Sequence, residues 1–247
     1  MLSGLQNWLL SFDLTQILLL VPIYLITLSV HEYAHARAAY ALGDPTARNL
    51  GRMTLNPVKH IDPIGFMVFV IWRFGWAKPV PVNTRHFKNG GRDMGLTALA
   101  GPMSNIAMGI IAVLIYKISL KIFYSTSPEI MWNFYSLSMG EGIAYNMFSA
   151  KMPAYFMMFV SIFVSANFYI AVFNLVPIPP LDGSRIINMF LSPKASFHYH
   201  KIERYGFIIL MLLLYTGMLT IPLSFISGSL VGAVDWLFDL IPFLRIG

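Results

Sequence analysis

Long apolar runs dominate this sequence and restrict the folds that it can adopt. A helix needs about 20 predominantly apolar residues to cross the hydrocarbon core of a bilayer. Such runs occur near 14–41, 96–118, 154–176, 206–226 and, as the weakest, 228–244. Of the 247 residues, 57% are hydrophobic and 11% are charged, which is far too apolar for a soluble domain of this length. The sequence therefore predicts an all-α polytopic membrane protein.

The last apolar run is interrupted by two acids. Asp235 and Asp239 are four residues apart, so both lie on one face of a helix. A helix over 228–244 either spans the membrane or lies in its interface. We expect a single domain over 1–247, with a core at about 14–190 and one or two C-terminal membrane helices at about 204–245.

Basic residues concentrate in two of the polar connections. Residues 43–95 hold eight Lys or Arg and 178–205 hold four, whereas 119–153 hold two. The positive-inside rule places the first two connections in the cytoplasm and the N-terminus outside. The net charge of +6 therefore reflects topology. We expect no nucleic-acid partner, because such a surface favours repeated Lys/Arg runs with interleaved aromatics.

Three Pro- and Gly-rich stretches separate the apolar runs, at 43–65, 75–91 and 174–185. Proline fixes φ and removes a backbone donor, so these stretches are not uninterrupted helices. Between the first two, FMVFVIW (66–72) is too short to span as a helix and is rich in β-branched and aromatic residues. We expect a strand or a re-entrant segment there, and a short interfacial element on the outer side at 124–150.

The chemical signal is HEYAH, residues 31–35, at the end of the first apolar run. In a helix His31 and His35 project from one face and can bind one metal ion, while Glu32 lies about 100° round the axis. This is the HExxH pattern, in which two His hold zinc and the Glu acts on a metal-bound water. Chance would give roughly 0.002 such matches in a chain of this composition. The alternative is a polar cluster at a helix end, bonded to its neighbours.

A catalytic zinc site usually takes three protein ligands, and no chelating residue follows His35 at a suitable helical spacing. Asp182 is the best third candidate. It follows an apolar helix that three prolines must end, and it precedes a predicted short helix over 184–191. A carboxylate at the inner margin of the membrane needs protection, which a metal would supply. The alternative is a turn or N-cap Asp, because Asp-Gly is a common turn pair.

Other residues are weaker candidates for the site. His60 and Asp62, in NPVKHIDPIG, form a second His/Asp pair that reaches the metal if the loop folds back. Such residues more often cap turns and order a loop. Pro180 is a further candidate beside Asp182. Three histidines sit among basic residues and are expected at the surface: His86, His198 and His200.

Five motifs occur in a fixed order: HEYAH, GRMTLNPVKHIDPIG, GWAKPVPVN, AGPMSN (100–105) and NLVPIPPLDG. Over about residues 25–190 this series resembles the bacterial and archaeal site-2 proteases, which are intramembrane zinc metalloproteases. The resemblance implies one zinc ion per chain, held by His31, His35 and Asp182, with Glu32 as the catalytic base.

The resemblance also implies further site residues and an architecture. Asn174 would hold the substrate carbonyl or stabilise the oxyanion, and Asn105 would help to shape the site. The three-helix catalytic core would be 14–41, 96–118 and 154–176, with a re-entrant β-like segment at about 50–82. Many relatives carry an earlier membrane helix, a PDZ domain or a CBS pair. We expect a compact form without them, and no removable signal peptide.

The function expected from this resemblance is hydrolysis of peptide bonds within or near the transmembrane segments of membrane proteins. It would serve regulated intramembrane proteolysis or the clearance of signal-peptide remnants. The partners would be transmembrane substrates and the lipid bilayer, with the active site towards the cytoplasmic side of the cell membrane. Two rival functions remain open. One is a divalent-metal transporter, which has no need of Glu32, and the other is a non-catalytic relative that binds membrane proteins.

Overall fold

The computed structural model describes residues 14–72, 75–140, 143–144 and 147–245. Ten α-helices occur in these ranges: α1 (Leu14–Ala41), α2 (Thr46–Asn49), α3 (Pro63–Trp72), α4 (Gly90–Thr126), α5 (Pro128–Ser138), α6 (Phe148–Leu175), α7 (Asp182–Asn188), α8 (Pro193–Glu203), α9 (Gly206–Tyr215) and α10 (Thr220–Asp239). Single turns of 3-10 helix cover Pro57–Lys59 and Thr84–His86. Within the described ranges there is no strand, so the all-α prediction is confirmed.

In the described part of the chain, four helices are long and apolar enough to cross a membrane: α1 over Ile17–Ala41, α4 over Gly90–Tyr124, α6 over Phe148–Leu175 and α10 over Thr220–Asp239. The protein is therefore a multi-pass membrane protein, as predicted. The helices α1, α4 and α6 correspond to the three predicted core helices, with α4 longer than predicted at both ends.

The C-terminal spans differ from the prediction. The expected span at 206–226 is broken, because α9 ends at Tyr215 and α10 begins at Thr220. Gly217 sits in the turn at φ 76°, a conformation that glycine adopts without steric cost. With ten residues, α9 is too short to span by itself. The helix in this region that is long enough to span is α10. The sequence analysis did not predict the turn, because apolar residues surround Gly217.

The core is the packing of α4 against α1 and α6. Its centre contains the buried side chains Ala112, Val113, Val160, Val164 and Phe168. Gly109 permits the close approach of α4 and α6, because a Cβ there would lie 2.7 Å from Phe168 Cε2. On this cluster α10 packs with four apolar residues: Leu230, Val231, Val234 and Phe238. The predicted short element in 124–150 is α5, which packs on α6 through Ile130.

An ion cluster joins α10 to the core. Lys117 of α4 is 3% exposed, and its Nζ lies 3.0 Å from Asp235 Oδ1 and 2.7 Å from Asp239 Oδ1. Asp235 and Asp239, which made the last predicted span the weakest, therefore pair with the buried ammonium group of Lys117. Charged groups at membrane depth are tolerated when they pair in this way.

Of the two alternatives expected at 66–72, the strand is wrong, because this stretch belongs to the helix α3. A re-entrant segment there stays a prediction. Asp62 caps that helix, its Oδ1 accepting the Gly65 N–H at 2.8 Å, and Pro63 supplies a fixed φ at the first helical position. A short apolar run fits strand and helix equally by pattern, and here the capping residues decide it. In the described part of the 50–82 segment, β-type pairing is limited to one antiparallel bridge between Ile61 and Ala77.

Candidate metal centre

Three side chains converge beside the C-terminal half of α1. His31 and His35 lie one turn apart on α1, and Asp182 is the first residue of α7, 151 residues beyond His31. The two Nε2 atoms are 3.0 Å apart, and they lie 3.1 Å and 3.2 Å from Asp182 Oδ2. No other group of three His, Asp or Glu side chains converges in this way in the part of the chain that the structure describes.

Hydrogen bonds on the far side of each ring fix the imidazole tautomers. His35 Nδ1 donates to the Thr97 carbonyl oxygen at 2.8 Å, and His31 Nδ1 donates to Asn105 Oδ1 at 3.1 Å. In the neutral form of each ring, Nε2 then presents a lone pair to the other ring and to the carboxylate of Asp182. Three acceptors without a proton between them repel one another, and a cation at their centre removes the repulsion.

This donor set fits zinc. Two imidazole nitrogens and one carboxylate oxygen are typical ligands of a catalytic zinc site, which keeps a further position for water or substrate. Tetrahedral ligands at about 2.0–2.1 Å from the ion are roughly 3.3 Å from one another. The observed separations of 3.0, 3.1 and 3.2 Å are close to that value.

One face of α4 supports the two histidines. Thr97, Gly101 and Asn105 follow each other at intervals of four residues and therefore share a face. A Cβ on Gly101 would lie 2.4 Å from His35 Nε2 and 2.6 Å from His31 Cε1. Only glycine leaves room for both rings, a role that the sequence analysis missed. The available signal was Gly and Asn four residues apart in an apolar helix.

Asp182 is placed by the packing of α7 against the end of α6. A Cβ on Gly183 would lie 2.3 Å from the Leu175 carbonyl oxygen and 2.4 Å from that of Val176. The N-cap of α7 is Leu181, without a side-chain cap, so Asp182 does not serve as the N-cap. The short helix predicted at 184–191 begins two residues earlier, at Asp182 itself. Pro180 lies exposed in the preceding turn, and its part in the site stays a prediction.

The Glu32 side chain is held by the backbone of another segment. It is 8% exposed, and its Oε2 accepts the Val80 N–H at 2.9 Å. Val80 belongs to the motif GWAKPVPVN, residues 75–83, which we call the strap. The strap therefore touches the residue beside the first histidine, a contact that the sequence alone does not reveal.

The strap is held along its length by other elements. Besides the bond to Glu32, its hydrogen bonds include Tyr24 Oη to Trp76 O (2.9 Å), Lys78 N to His60 O (2.8 Å), Arg52 Nη2 to Lys78 O (2.8 Å) and Asn83 N to Asp44 Oδ2 (2.7 Å). Tyr24 belongs to α1, so the strap is tied to the same helix as Glu32. These contacts keep it against α1 without a regular strand.

Asp44 anchors the strap at its C-terminal end. This side chain is fully buried and accepts hydrogen bonds from Thr46, Asn83 and His86. Burial alone would raise the pKa of Asp44, but these hydrogen bonds outweigh it and hold the pKa below its ordinary value. His86 was expected at the surface, and its side chain is 44% exposed, yet it pairs with this buried acid at 2.8 Å. His198 and His200 are exposed, as predicted.

The remaining candidates lie outside the converged group. His60 is 2% exposed, its Nε2 lies 2.7 Å from the Thr54 carbonyl oxygen, and Asp62 caps α3. Both residues order their loop, the role that the sequence analysis favoured over metal ligation. Asn174 lies in the last turn of α6 and donates from Nδ2 to the Ile170 carbonyl oxygen at 3.0 Å. Its part in catalysis stays a prediction.

Several known proteins are similar to this chain in sequence. Residues 19–215 match the model of peptidase family M50. The Bacillus subtilis (strain 168) protein "Putative zinc metalloprotease YwhC" is 36% identical over 203 residues, covering 81% of this chain and 83% of its own. "Putative zinc metalloprotease Rip2" of Mycolicibacterium smegmatis is 28% identical over 208 residues, covering 82% and 68%.

The protein of the same name from Mycobacterium tuberculosis is 25% identical over 223 residues, covering 88% of this chain and 71% of its own. No solved structure gives a significant match. The family match covers most of the chain, including the helices that carry HEYAH and the Asp182 segment. The chain therefore belongs to peptidase family M50, the site-2 protease family.

Proposed function

We propose that this membrane protein is a zinc endopeptidase that cleaves other membrane proteins within or near their transmembrane segments. The observation that carries the proposal is the convergence of His31, His35 and Asp182 at the C-terminal half of a spanning helix, with Glu32 next to His31. The printed names of the two relatives describe them as putative zinc metalloproteases, which is the same class of enzyme.

The proposed ligands of one zinc ion are His31 Nε2, His35 Nε2 and a carboxylate oxygen of Asp182. When bound there, zinc would polarise oxygen atoms and would lower the pKa of a bound water molecule to about 7. The chain supplies the orientation of the ligands. Thr97 and Asn105 hold the Nδ1 protons, so both Nε2 lone pairs stay directed at the ion.

Glu32 is the proposed general base. Its Oε2 is occupied by the Val80 N–H, so Oε1 is the oxygen that takes a proton from the attacking water. The water oxygen bonds to the peptide carbonyl carbon, and the C–N bond breaks as Glu32 returns the proton to the departing amine. Asn174 is the proposed donor to the developing oxyanion.

Substrate must reach the site in an extended form, because a helix hides its scissile carbonyl groups in hydrogen bonds. The strap lies beside Glu32 and has an irregular, proline-rich backbone. We infer that an unwound substrate segment pairs with the strap by backbone hydrogen bonds, so that affinity depends little on substrate side chains. Membrane-anchored regulators and signal-peptide remnants both offer such segments.

The proposed location is the cell membrane, with the site towards the cytoplasm and the N-terminus outside. The basic connections 43–95 and 178–205 flank α1, α4 and α7 at the end where the metal ligands lie. Basic residues near the ends of spanning helices favour the cytoplasmic side.

Removal of zinc tests the proposed activity. The purified chain, reconstituted in liposomes with a single-span membrane protein, should release two fragments that gel electrophoresis and mass spectrometry identify. A zinc chelator should abolish release, and added zinc should restore it, because Glu32 alone is a weak activator of water. Cleavage that persists after measured removal of zinc would contradict the proposal.

The contact between Val80 and Glu32 gives a second prediction. Val80→Pro removes the N–H that Glu32 Oε2 accepts, and Val80→Ala keeps it. Hydrogen bonds to charged groups are worth about 1.5–3 kcal/mol, so Val80→Pro should lower kcat at least about tenfold while zinc content stays unchanged. Val80→Ala should cleave within about threefold of the parent. Equal rates for both variants would show that this N–H does not position Glu32.

A further inference from the structure

Arg52 is a buried arginine without an acidic group in contact with it. It lies in the loop between α2 and the 3-10 turn at Pro57–Lys59, and it is 9% exposed. It takes part in no ion pair within the ranges that the structure describes. Its Nε is buried and has no hydrogen-bond partner there. Burying a cation away from water costs free energy unless another group compensates the charge.

The side-chain partners of Arg52 are two backbone carbonyl groups of the strap. Its Nη2 lies 2.8 Å from the Lys78 carbonyl oxygen and 3.4 Å from the Pro79 carbonyl oxygen. The Pro79 carbonyl and the Val80 N–H belong to the same peptide group, and in a trans peptide group the two point in opposite directions. The Val80 N–H donates to Glu32 Oε2 at 2.9 Å. Arg52 and Glu32 therefore contact opposite ends of one peptide group.

This peptide group transmits the charge of Arg52 to Glu32. A cation beside the carbonyl oxygen draws electrons from the amide nitrogen, so the Val80 N–H becomes a stronger donor. Hydrogen bonds in series strengthen one another by about 10–30%. Arg52 and Glu32 are 9% and 8% exposed, so water screens their interaction little. Glu32 is therefore the acid that compensates the buried charge of Arg52, at a distance of one peptide group.

The backbone on both sides of Arg52 fixes its position. The Arg52 N–H donates to the carbonyl oxygen of Ala47 at 2.8 Å, and Ala47 is fully buried in α2. Gly51 precedes it at φ 65°, a conformation that glycine adopts without steric cost. Arg52 therefore acts on the strap from a fixed point of the loop. Neither its side-chain hydrogen bonds nor its N–H reaches a metal ligand.

We propose that Arg52 is a positioning residue for the hydrolytic reaction. Its guanidinium group holds and polarises the Pro79–Val80 peptide group, so that the Val80 N–H keeps Glu32 Oε2 in place and Oε1 stays directed at the attacking water. Arg52 has this role only if Glu32 is the general base, so the assignment rests on the proposed function.

Two replacements of Arg52 test the role of its charge in the reconstituted cleavage assay. Arg52→Gln removes the charge and should lower kcat about tenfold, with KM within about threefold of the parent and zinc content unchanged. Arg52→Lys keeps the charge but offers one donor group, so it should lose only about threefold. A merely structural role would displace the strap, the proposed pairing edge for substrate, and would raise KM instead. That result, or equal kcat in the two variants, would overturn the proposal.

A double-mutant cycle tests whether Arg52 acts through the Val80 N–H. Val80→Pro removes that N–H, so adding Arg52→Gln to Val80→Pro should lower kcat by less than about twofold more. Losses that multiply would overturn the proposal. If Arg52→Gln does not fold and lacks zinc, Arg52→Lys takes its place in the same cycle. The matched control is Arg85→Gln, an exposed arginine beyond the strap, which should cleave like the parent.

Failure of the proposed function would give a different result from failure of this role. A folded, zinc-loaded parent that releases no fragments, or a Glu32→Gln variant that cleaves like the parent, would contradict the proposed function and the role of Arg52 with it. A parent that cleaves, a Glu32→Gln variant that does not, and an Arg52→Gln variant with the parent's kcat would overturn the role of Arg52 alone.

Discussion

Replacing Gly101 by alanine should empty the metal centre, although no ligand residue is changed. The new Cβ would lie 2.4 Å from His35 Nε2 and 2.6 Å from His31 Cε1, so both rings must turn away from Asp182. We expect zinc content to fall from about one ion per chain to less than about a tenth of that. Cleavage activity should be lost with it.

The control for this variant is Gly232→Ala in α10, where a Cβ meets nothing within 4 Å. Alanine favours a helix over glycine by about 1 kcal/mol, so neither variant should weaken its helix. Zinc per folded chain, measured by elemental mass spectrometry, should drop in Gly101→Ala alone. Full zinc content in Gly101→Ala would mean that the two histidines do not bind the ion in the arrangement described here.

Glu32→Gln should keep zinc and lose cleavage. The amide has nearly the same shape as the carboxylate and still accepts the Val80 N–H, but it cannot take a proton from water. General base catalysis contributes about 10²–10⁴-fold, so kcat should fall by at least about 100-fold. The measurement is fragment release per unit time from a reconstituted membrane substrate, with zinc content determined on the same sample.

The matched control is Glu203→Gln, an exposed Glu at the end of α8, which should cleave like the parent. The same variants separate a protease from a transporter. A transporter that uses His31, His35 and Asp182 would show altered zinc flux into vesicles in Glu32→Gln, with no fragment release from either protein. Parent-like cleavage by Glu32→Gln would remove Glu32 from the mechanism.

The convergence of His31, His35 and Asp182 was predictable because the chemistry of a metal site restricts residue type and spacing. The four-residue interval in HEYAH places two imidazoles on one face of a helix, and zinc needs a third ligand from elsewhere. Asp182 stood out because a carboxylate beside the membrane requires a partner. The structure brings it to 3.1 Å from His31 and 3.2 Å from His35.

Other contacts between elements were not predictable from one sequence. Gly101 is a glycine inside a helix, and its role follows only from the position of α1 against α4. The contact between Val80 and Glu32 depends on the path of a proline-rich loop, which no periodic pattern specifies. A strand was one of the two structures predicted at 66–72, and the structure has a helix there. The pattern did not separate the two, because seven consecutive apolar residues fit a strand and a helix equally.

Zinc bound per folded chain tests the central claim most directly. The parent, His31→Ala, His35→Ala and Asp182→Ala should be purified in mild detergent and compared with Asp62→Ala, which changes the other candidate acid. We predict about one zinc ion in the parent and in Asp62→Ala, and loss of zinc in the other three variants. A folded parent without zinc, or an Asp182→Ala variant that keeps it, would contradict the His31, His35 and Asp182 site.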